Sequence, residues 1–155
     1  MGRDTLEHDY YLKVAELYDT VDLTYTMPSS NTLRIGAIAE SRFVTECLER
    51  DFEPHLPTTP MPWDFIVTCP AGVLKVQIKS TSHKNSTNTY AVNCNAHRDF
   101  MCDSIDVVGC YVMPEKTWWM IPRKEIKGLT LKLNILPKSK SKYKKYQENW
   151  SIFYE

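Results

Sequence analysis

The sequence predicts an α/β domain in which helices come first and a run of short strands follows. Three observations carry this reading. Apolar residues recur at helical spacing over residues 4–18 and 32–50, the periodicity turns extended beyond prolines 54, 57, 60 and 62, and 155 residues suffice for one packed core.

In the first segment, DTLEHDYYLKVAELYD, the residues Leu6, Tyr10, Val14, Leu17 and Tyr18 have helical spacing, and Asp4 with Glu7 has the spacing of a capping box. MPSSN at 27–31 reads as a linker or turn, which makes residues 1–30 a helical extension and 31–155 the main domain. A second helix is expected over residues 32–50, with Ile35, Ile38, Ala39, Phe43, Val44, Cys47 and Leu48 as its apolar stripe. WDFIVTC, VLKVQIKST, TYAVNCN, IDVVGCYVMP and TWWMIP are β-branched or aromatic runs bounded by Pro, Gly, Asn or Ser, and each reads as a strand. CPAGV supplies a hairpin turn between the first two. The Lys-rich segment that follows ends in KKYQENWSIF, which reads as helix or short strand.

Lys and Arg balance Asp and Glu at 19 each, and this balance with 43% hydrophobic residues argues against disorder. No apolar run approaches the ~20 residues of a membrane span, so no membrane partner and a cytoplasmic location are expected. Five cysteines form no even framework and are expected to be buried free thiols. The charge is unevenly spread. The first thirty residues hold six acids against two bases, whereas residues 123–145 hold nine bases against Glu125 alone, which suits either a nucleic-acid partner or a solvated tail. Cys94, His97 and Cys102 lack a fourth ligand for structural zinc. Walker, dinucleotide and G-x-S-x-G patterns do not occur, so no nucleotide cofactor is expected.

The chemistry concentrates in PWDFIVTCPAGVLKVQIKST, residues 62–81. Alternate strand residues share a face, so Gln77 and Lys79 point together while Val76 and Ile78 point into the core. A hairpin partner brings Asp64 beside them, gathering a carboxylate, an amide oxygen, an ammonium and the Ile78 carbonyl. Such oxygen ligands suit a hard cation such as Mg²⁺. Asp64 as a turn cap and Lys79 reaching solvent at a sheet edge are the structural alternatives.

With Glu40 in the helical GAIAESRF, Asp64 in PWD and the Gln77-Ile78-Lys79 strand, the order of parts resembles the PD-(D/E)XK nuclease superfamily. The intervals, 24 residues from Glu40 to Asp64 and 13 from Asp64 to Gln77, also suit it. Within it the chain most resembles the group I intron-encoded homing endonucleases that carry Gln in the (D/E) position, over roughly residues 34–127. The resemblance implies a restriction-endonuclease-like core, a mixed sheet flanked by helices. It implies Mg²⁺-dependent cleavage of double-stranded DNA, with Mn²⁺ substituting, by a homodimer or homotetramer. Glu40, Asp64, Gln77 and the Ile78 carbonyl would hold the metal, and Lys79 would position water. A junction-resolving or repair nuclease, or an inactive DNA-binding protein on the same fold, is the alternative.

DNA contacts are then expected from Arg42 and Arg98 near the scissile phosphate, and from Ser80 and Thr81, which otherwise only end the strand. His83, Lys84 and Asn85 in TSHKNSTNT, and the basic run with Lys140 and Lys142, complete the expected set. Gln77 departs from the common acid, which removes a charge from the metal site.

Overall fold

The computed structural model describes residues 32–94 and 104–155, and the second of the two compact units into which the chain divides runs Thr32–Glu155. The expected helix at 4–18, Arg98, and the His97 and Cys102 of the zinc-like pattern lie outside the described residues. Helix α1 spans Thr32–Glu49, close to the expected bounds. Ala39, Phe43 and Cys47 are its buried residues, one per turn, whereas Leu33 and Leu48 are exposed, so the apolar stripe is narrower than the sequence suggests.

Among the described residues eight strands follow: β1 Glu53–His55, β2 Phe65–Cys69, β3 Gly72–Thr81, β4 Lys84–Ser86, β5 Thr89–Asn93, β6 Val107–Val112, β7 Thr117–Pro122 and β8 Thr130–Asn134. Five form a sheet in the order β1-β2-β3-β6-β7, antiparallel except for the parallel β3–β6 pair, and β4-β5-β8 form a small antiparallel sheet. The β2–β3 hairpin closes through Cys69 and Gly72, and the φ of 114° at Gly72 is one that glycine adopts without strain. The other expected strands appear as β5, β6 and β7.

The large sheet has a core on each face. On one, Phe65, Val67, Val76, Ile78, Val107, Tyr111, Trp118 and Met120 pack with Ala39, Phe43 and Cys47 of α1 and with Trp150 and Phe153 near the C-terminus. Phe43 is central there, with ring centroids 5.3 Å from Phe65, 5.9 Å from Trp118 and 6.1 Å from Trp150. On the other, Val108, Cys110, Val112, Trp119 and Ile121 pack with Tyr90, Val92, Leu131 and Leu133 of the small sheet. Among the described residues, therefore, one helix and one small sheet flank the central sheet, where helices were expected on the flanks. A Cβ on Gly109 would stand 3.0 Å from Ile78 Cδ1, so this glycine lets Ile78 seat against β6.

Three strands went unread in the sequence. β1 contains Pro54 and sits where prolines suggested only a break. β4 hides in a polar loop. β8, TLKLN, alternates exposed and buried residues, a period-2 signal masked by its place in a basic region. KKYQENWSIF forms neither long helix nor strand but two 3-10 turns, Lys144–Tyr146 and Ser151–Phe153. Between them Glu148 closes the β7 edge. Its N–H donates to the Trp118 carbonyl at 2.8 Å, and its Oε1 accepts from the Trp118 N–H at 2.6 Å. Cys47, Cys94 and Cys110 are buried free thiols and Cys69 is half-buried. Burial pushes Cys47 up to about 12 and Cys94 up to about 11.

Candidate active site

β2 and β3 pair regularly from Cys69↔Gly72 to Phe65↔Val76 and no further. β3 continues to Thr81 with β6 on its other edge, so its last residues lose their β2 neighbour. Asp64 takes over that edge. Its N–H donates to the Val76 carbonyl at 2.9 Å, and its Oδ2 accepts the Ile78 N–H at 2.6 Å. A strand residue turns its N–H and C=O to the same edge, so the Ile78 carbonyl also faces the side on which Asp64 lies.

Gln77 aligns with Val108, on the face opposite Val76 and Ile78. That face is a second core, which corrects the expectation that Gln77 and Lys79 simply look away from the interior. Gln77 is only 7% exposed, and its Oε1 is buried without a hydrogen-bond partner. A buried acceptor left unpaired costs roughly 1–3 kcal/mol, and native structures tolerate few such groups without a reason. Lys79 is half-buried, and its ammonium lies near enough to draw the Asp64 carboxyl downward. Burial outweighs this and the Ile78 hydrogen bond, so the Asp64 carboxyl sits above the usual range. Glu40 is carried on α1 between buried Ala39 and Phe43. Its carboxyl is also raised, first by burial and then by the charge of Asp64.

Glu40 and Asp64 line one cleft of about 410 Å³ together with Trp63 and residues 56–61. Two desolvated, mutually repelling carboxylates meet at this cleft and the Ile78 carbonyl faces the edge of β3 on which Asp64 lies, oxygen donors of the kind that suit a hard divalent cation. No group of three or more His, Cys, Asp or Glu side chains gathers to hold a metal among the described residues. Any cation bound here would therefore rely on neutral oxygens beside the carboxylate pair.

The expected DNA-contacting residues are less uniform. Arg42 is exposed two positions after Glu40, its guanidinium 5.8 Å from the Tyr111 ring centroid. His83, Lys84 and Asn85 are exposed at the start of the small sheet, and Ser80 is half-buried at the lip of a cleft of about 460 Å³ that His83 also lines. Thr81 is buried. Its hydroxyl donates to the Ala91 carbonyl at 2.7 Å and accepts the His83 N–H at 3.0 Å, so it joins the two sheets. Lys140 is exposed, as is Lys142, whose ammonium donates to the Glu125 carbonyl at 3.1 Å. Within the same basic run Lys144 donates to the Asn134 carbonyl at 3.3 Å and to Gln147 Oε1, and burial lowers its pKa. The cleft-lining loop of residues 56–61 was missed in the sequence, although the clustered prolines before Asp64 marked it.

No curated protein matches the sequence significantly. Among solved structures, the chain resembles a bacterial homing endonuclease, I-Ssp6803I, with a TM-score of 0.70 and 20% identity, over 83% of this chain and 93% of that one. It also matches a Holliday junction resolvase, Hjc of Archaeoglobus fulgidus, with a TM-score of 0.46 and 12% identity, over 64% of this chain and 84% of that one. The first likeness establishes the restriction-endonuclease-like fold. A family model for PD-(D/E)XK endonucleases matches residues 30–153, a span that takes in α1, both sheets and the Glu40–Asp64 cleft, and the chain belongs to that family.

Proposed function

We propose that the protein is a site-specific homing endonuclease that hydrolyses both strands of a DNA duplex with Mg²⁺, Mn²⁺ substituting, and works as a homodimer or homotetramer in the cytoplasm. The observation that carries the reading is the junction of Asp64 with β3. One carboxylate oxygen is fixed by the Ile78 N–H, while the neighbouring Gln77 amide oxygen is buried with no partner. The structural likeness to a homing endonuclease over 93% of that chain supports the homing role.

Glu40, Asp64, Gln77 and the Ile78 carbonyl would hold the metal. When bound, such a cation supplies charge stabilisation to a phosphoryl oxygen and lowers the pKa of its water. The chain does the positioning. The Ile78 N–H holds Oδ2 of Asp64 in one place, which leaves the second oxygen to face the cleft. Glu40 shares the cleft and adds the second negative charge that draws a cation in. Lys79, on the same strand face as Gln77, offers an ammonium to orient the attacking water and to offset charge growing on the phosphate. Trp63 and the proline loop wall one side of the cleft in which these groups act. One domain of this size presents one such site, so cutting two strands calls for a second copy.

The test is cleavage of a plasmid library of uninterrupted insertion sites beside a four-way junction, with Mg²⁺, by wild type, Asp64→Asn and Lys79→Ala. The wild type is expected to cut linear duplex and both variants to be inactive while still folding cooperatively. Undiminished cutting by Asp64→Asn would sink the assignment of the site, and preference for the junction would overturn the homing role.

A further inference from the structure

Residues 56–62, between β1 and β2, read LPTTPMP and contain no charged residue. Leu56 is 73% exposed and Met61 42%. Single exposed apolar side chains are ordinary. These two share a seven-residue loop in which Pro57, Pro60 and Pro62 hold φ near −65° and leave little freedom to collapse onto the surface. The loop is also pinned at both ends. Pro54 and His55 pair with Val67 and Ile66, and Trp63 is buried, with the Lys75 ammonium 4.9 Å from its ring centroid. Its residues make one wall of the cleft that Glu40 and Asp64 complete.

We propose that this braced loop is a groove wedge: with a duplex laid so that its scissile phosphate meets Asp64, Leu56 and Met61 press into the adjoining minor groove and open the base step there. The inference rests on the endonuclease reading of the same cleft. DNA is the occupant that follows from position, because the loop lines the same cleft as Asp64 and a backbone whose phosphate meets Asp64 runs beside it. The minor groove follows from chemistry. The loop has no Arg, Lys, Asn or Gln to pair with base edges in the major groove, whereas Leu, Met and Pro are the residue types that wedge between steps from the minor groove. Rigidity matters for such a wedge, since a loop that needed ordering would lose part of the contact energy to entropy. Thr58 and Thr59 lie between the apolar tips and place hydroxyls where sugar and phosphate oxygens run.

The experiment places the photo-crosslinking residue p-benzoylphenylalanine at position 56, or at position 73 as a control. Val73 is 62% exposed beside the β2–β3 turn, at the end of the hairpin away from Asp64. Each protein is irradiated with a duplex pool drawn from the library of uninterrupted insertion sites, and wild type is assayed in parallel for cutting the pool with Mg²⁺. DNA adducts are expected at position 56 and few at position 73. The double variant Leu56→Ser, Met61→Ser is expected to cut about tenfold more slowly, the loss of apolar contact alone. Its DNA binding should keep the wild-type salt dependence, since no charge is removed. Adducts from position 56 to a second copy of the chain, no adducts above the control, or an unimpaired double variant would each overturn the wedge. If wild type cuts the pool while position 56 stays silent, the wedge fails and the endonuclease reading stands. If wild type neither binds nor cuts, both fall together.

Discussion

Two aspartates do the same backbone work on opposite edges of β3, and only one of them is desolvated beside a second carboxylate. Asp106, just before β6, donates its N–H to the Lys75 carbonyl at 2.9 Å and accepts the Lys75 N–H on Oδ2 at 2.8 Å. Asp64, just before β2, donates its N–H to the Val76 carbonyl at 2.9 Å and accepts the Ile78 N–H on Oδ2 at 2.6 Å. Each completes an edge of β3 where a neighbouring strand is missing. Asp106 is exposed, so its carboxylate stays hydrated and its role ends with the hydrogen bond. Asp64 is half-buried, shares its cleft with Glu40 and lies within reach of the Lys79 charge, and its carboxyl is raised by burial. The pair separates what an aspartate does for the fold from what desolvation lets it do for chemistry.

The largest expected effect breaks the pair apart directly. Asp64→Asn keeps an oxygen for the Ile78 N–H but removes the charge, and should lower the cleavage rate by on the order of 10³ or more. Asp106→Asn should leave cleavage near the wild-type rate. Equal losses in single-turnover assays would mean that strand-edge closure, and not the Asp64 environment, governs activity.

Alanine at the same positions sharpens the structural half of the comparison. Asp64→Ala strands the Ile78 N–H in a buried edge and should cost about 1–3 kcal/mol in urea unfolding relative to Asp64→Asn. Asp106→Ala exposes the Lys75 N–H to water and should cost about 1 kcal/mol or less. A smaller change is expected from Gln77→Glu, which adds an acid on β3 next to Ile78. Mg²⁺ affinity measured by calorimetry should rise about tenfold, roughly the effect of one added partly buried charge. Unchanged affinity would remove Gln77 from the ligand set.

The sequence singled out one aspartate and not the other, for a physical reason. PWD and IDVV look alike locally, each an acid immediately before a β-branched or aromatic run. What set Asp64 apart was the alternation in VQIK and the helical Glu40, both readable because periodicity fixes which side chains share a face. Helix α1, the β2–β3 hairpin and β5 to β7 were legible on the same ground. The second core was not, because β8 lies in a lysine-rich stretch and closes its sheet through a long-range pairing with β5. Without that sheet, Gln77 looks solvent-facing, and the burial that orphans its oxygen is invisible. Thr81 shows the same limit: the sequence leaves its hydroxyl open between a phosphate contact and a strand end, and its bond to the Ala91 carbonyl is invisible there.

The pH dependence of the metal-free protein is the finest test of the pair. Glu40 and Asp64 have folded-state pKa values raised above their ordinary 4.5 and 3.8. In the window above those values the folded state holds more protons than the unfolded chain, so unfolding free energy falls as pH rises. The stability these groups contribute is complete below the ordinary carboxylate range and lost as pH climbs through the raised values. Thermal melts in chelator should show this slope in wild type and in Asp106→Asn. In Asp64→Asn the slope should shrink twice over, because one raised group is gone and Glu40 loses the neighbouring charge that helps raise it. Saturating Mg²⁺ should oppose the slope in wild type, since a cation bound to the ionised pair stabilises the folded state more as protons leave. A slope that survives unchanged in Asp64→Asn would place the titrating groups elsewhere in the molecule.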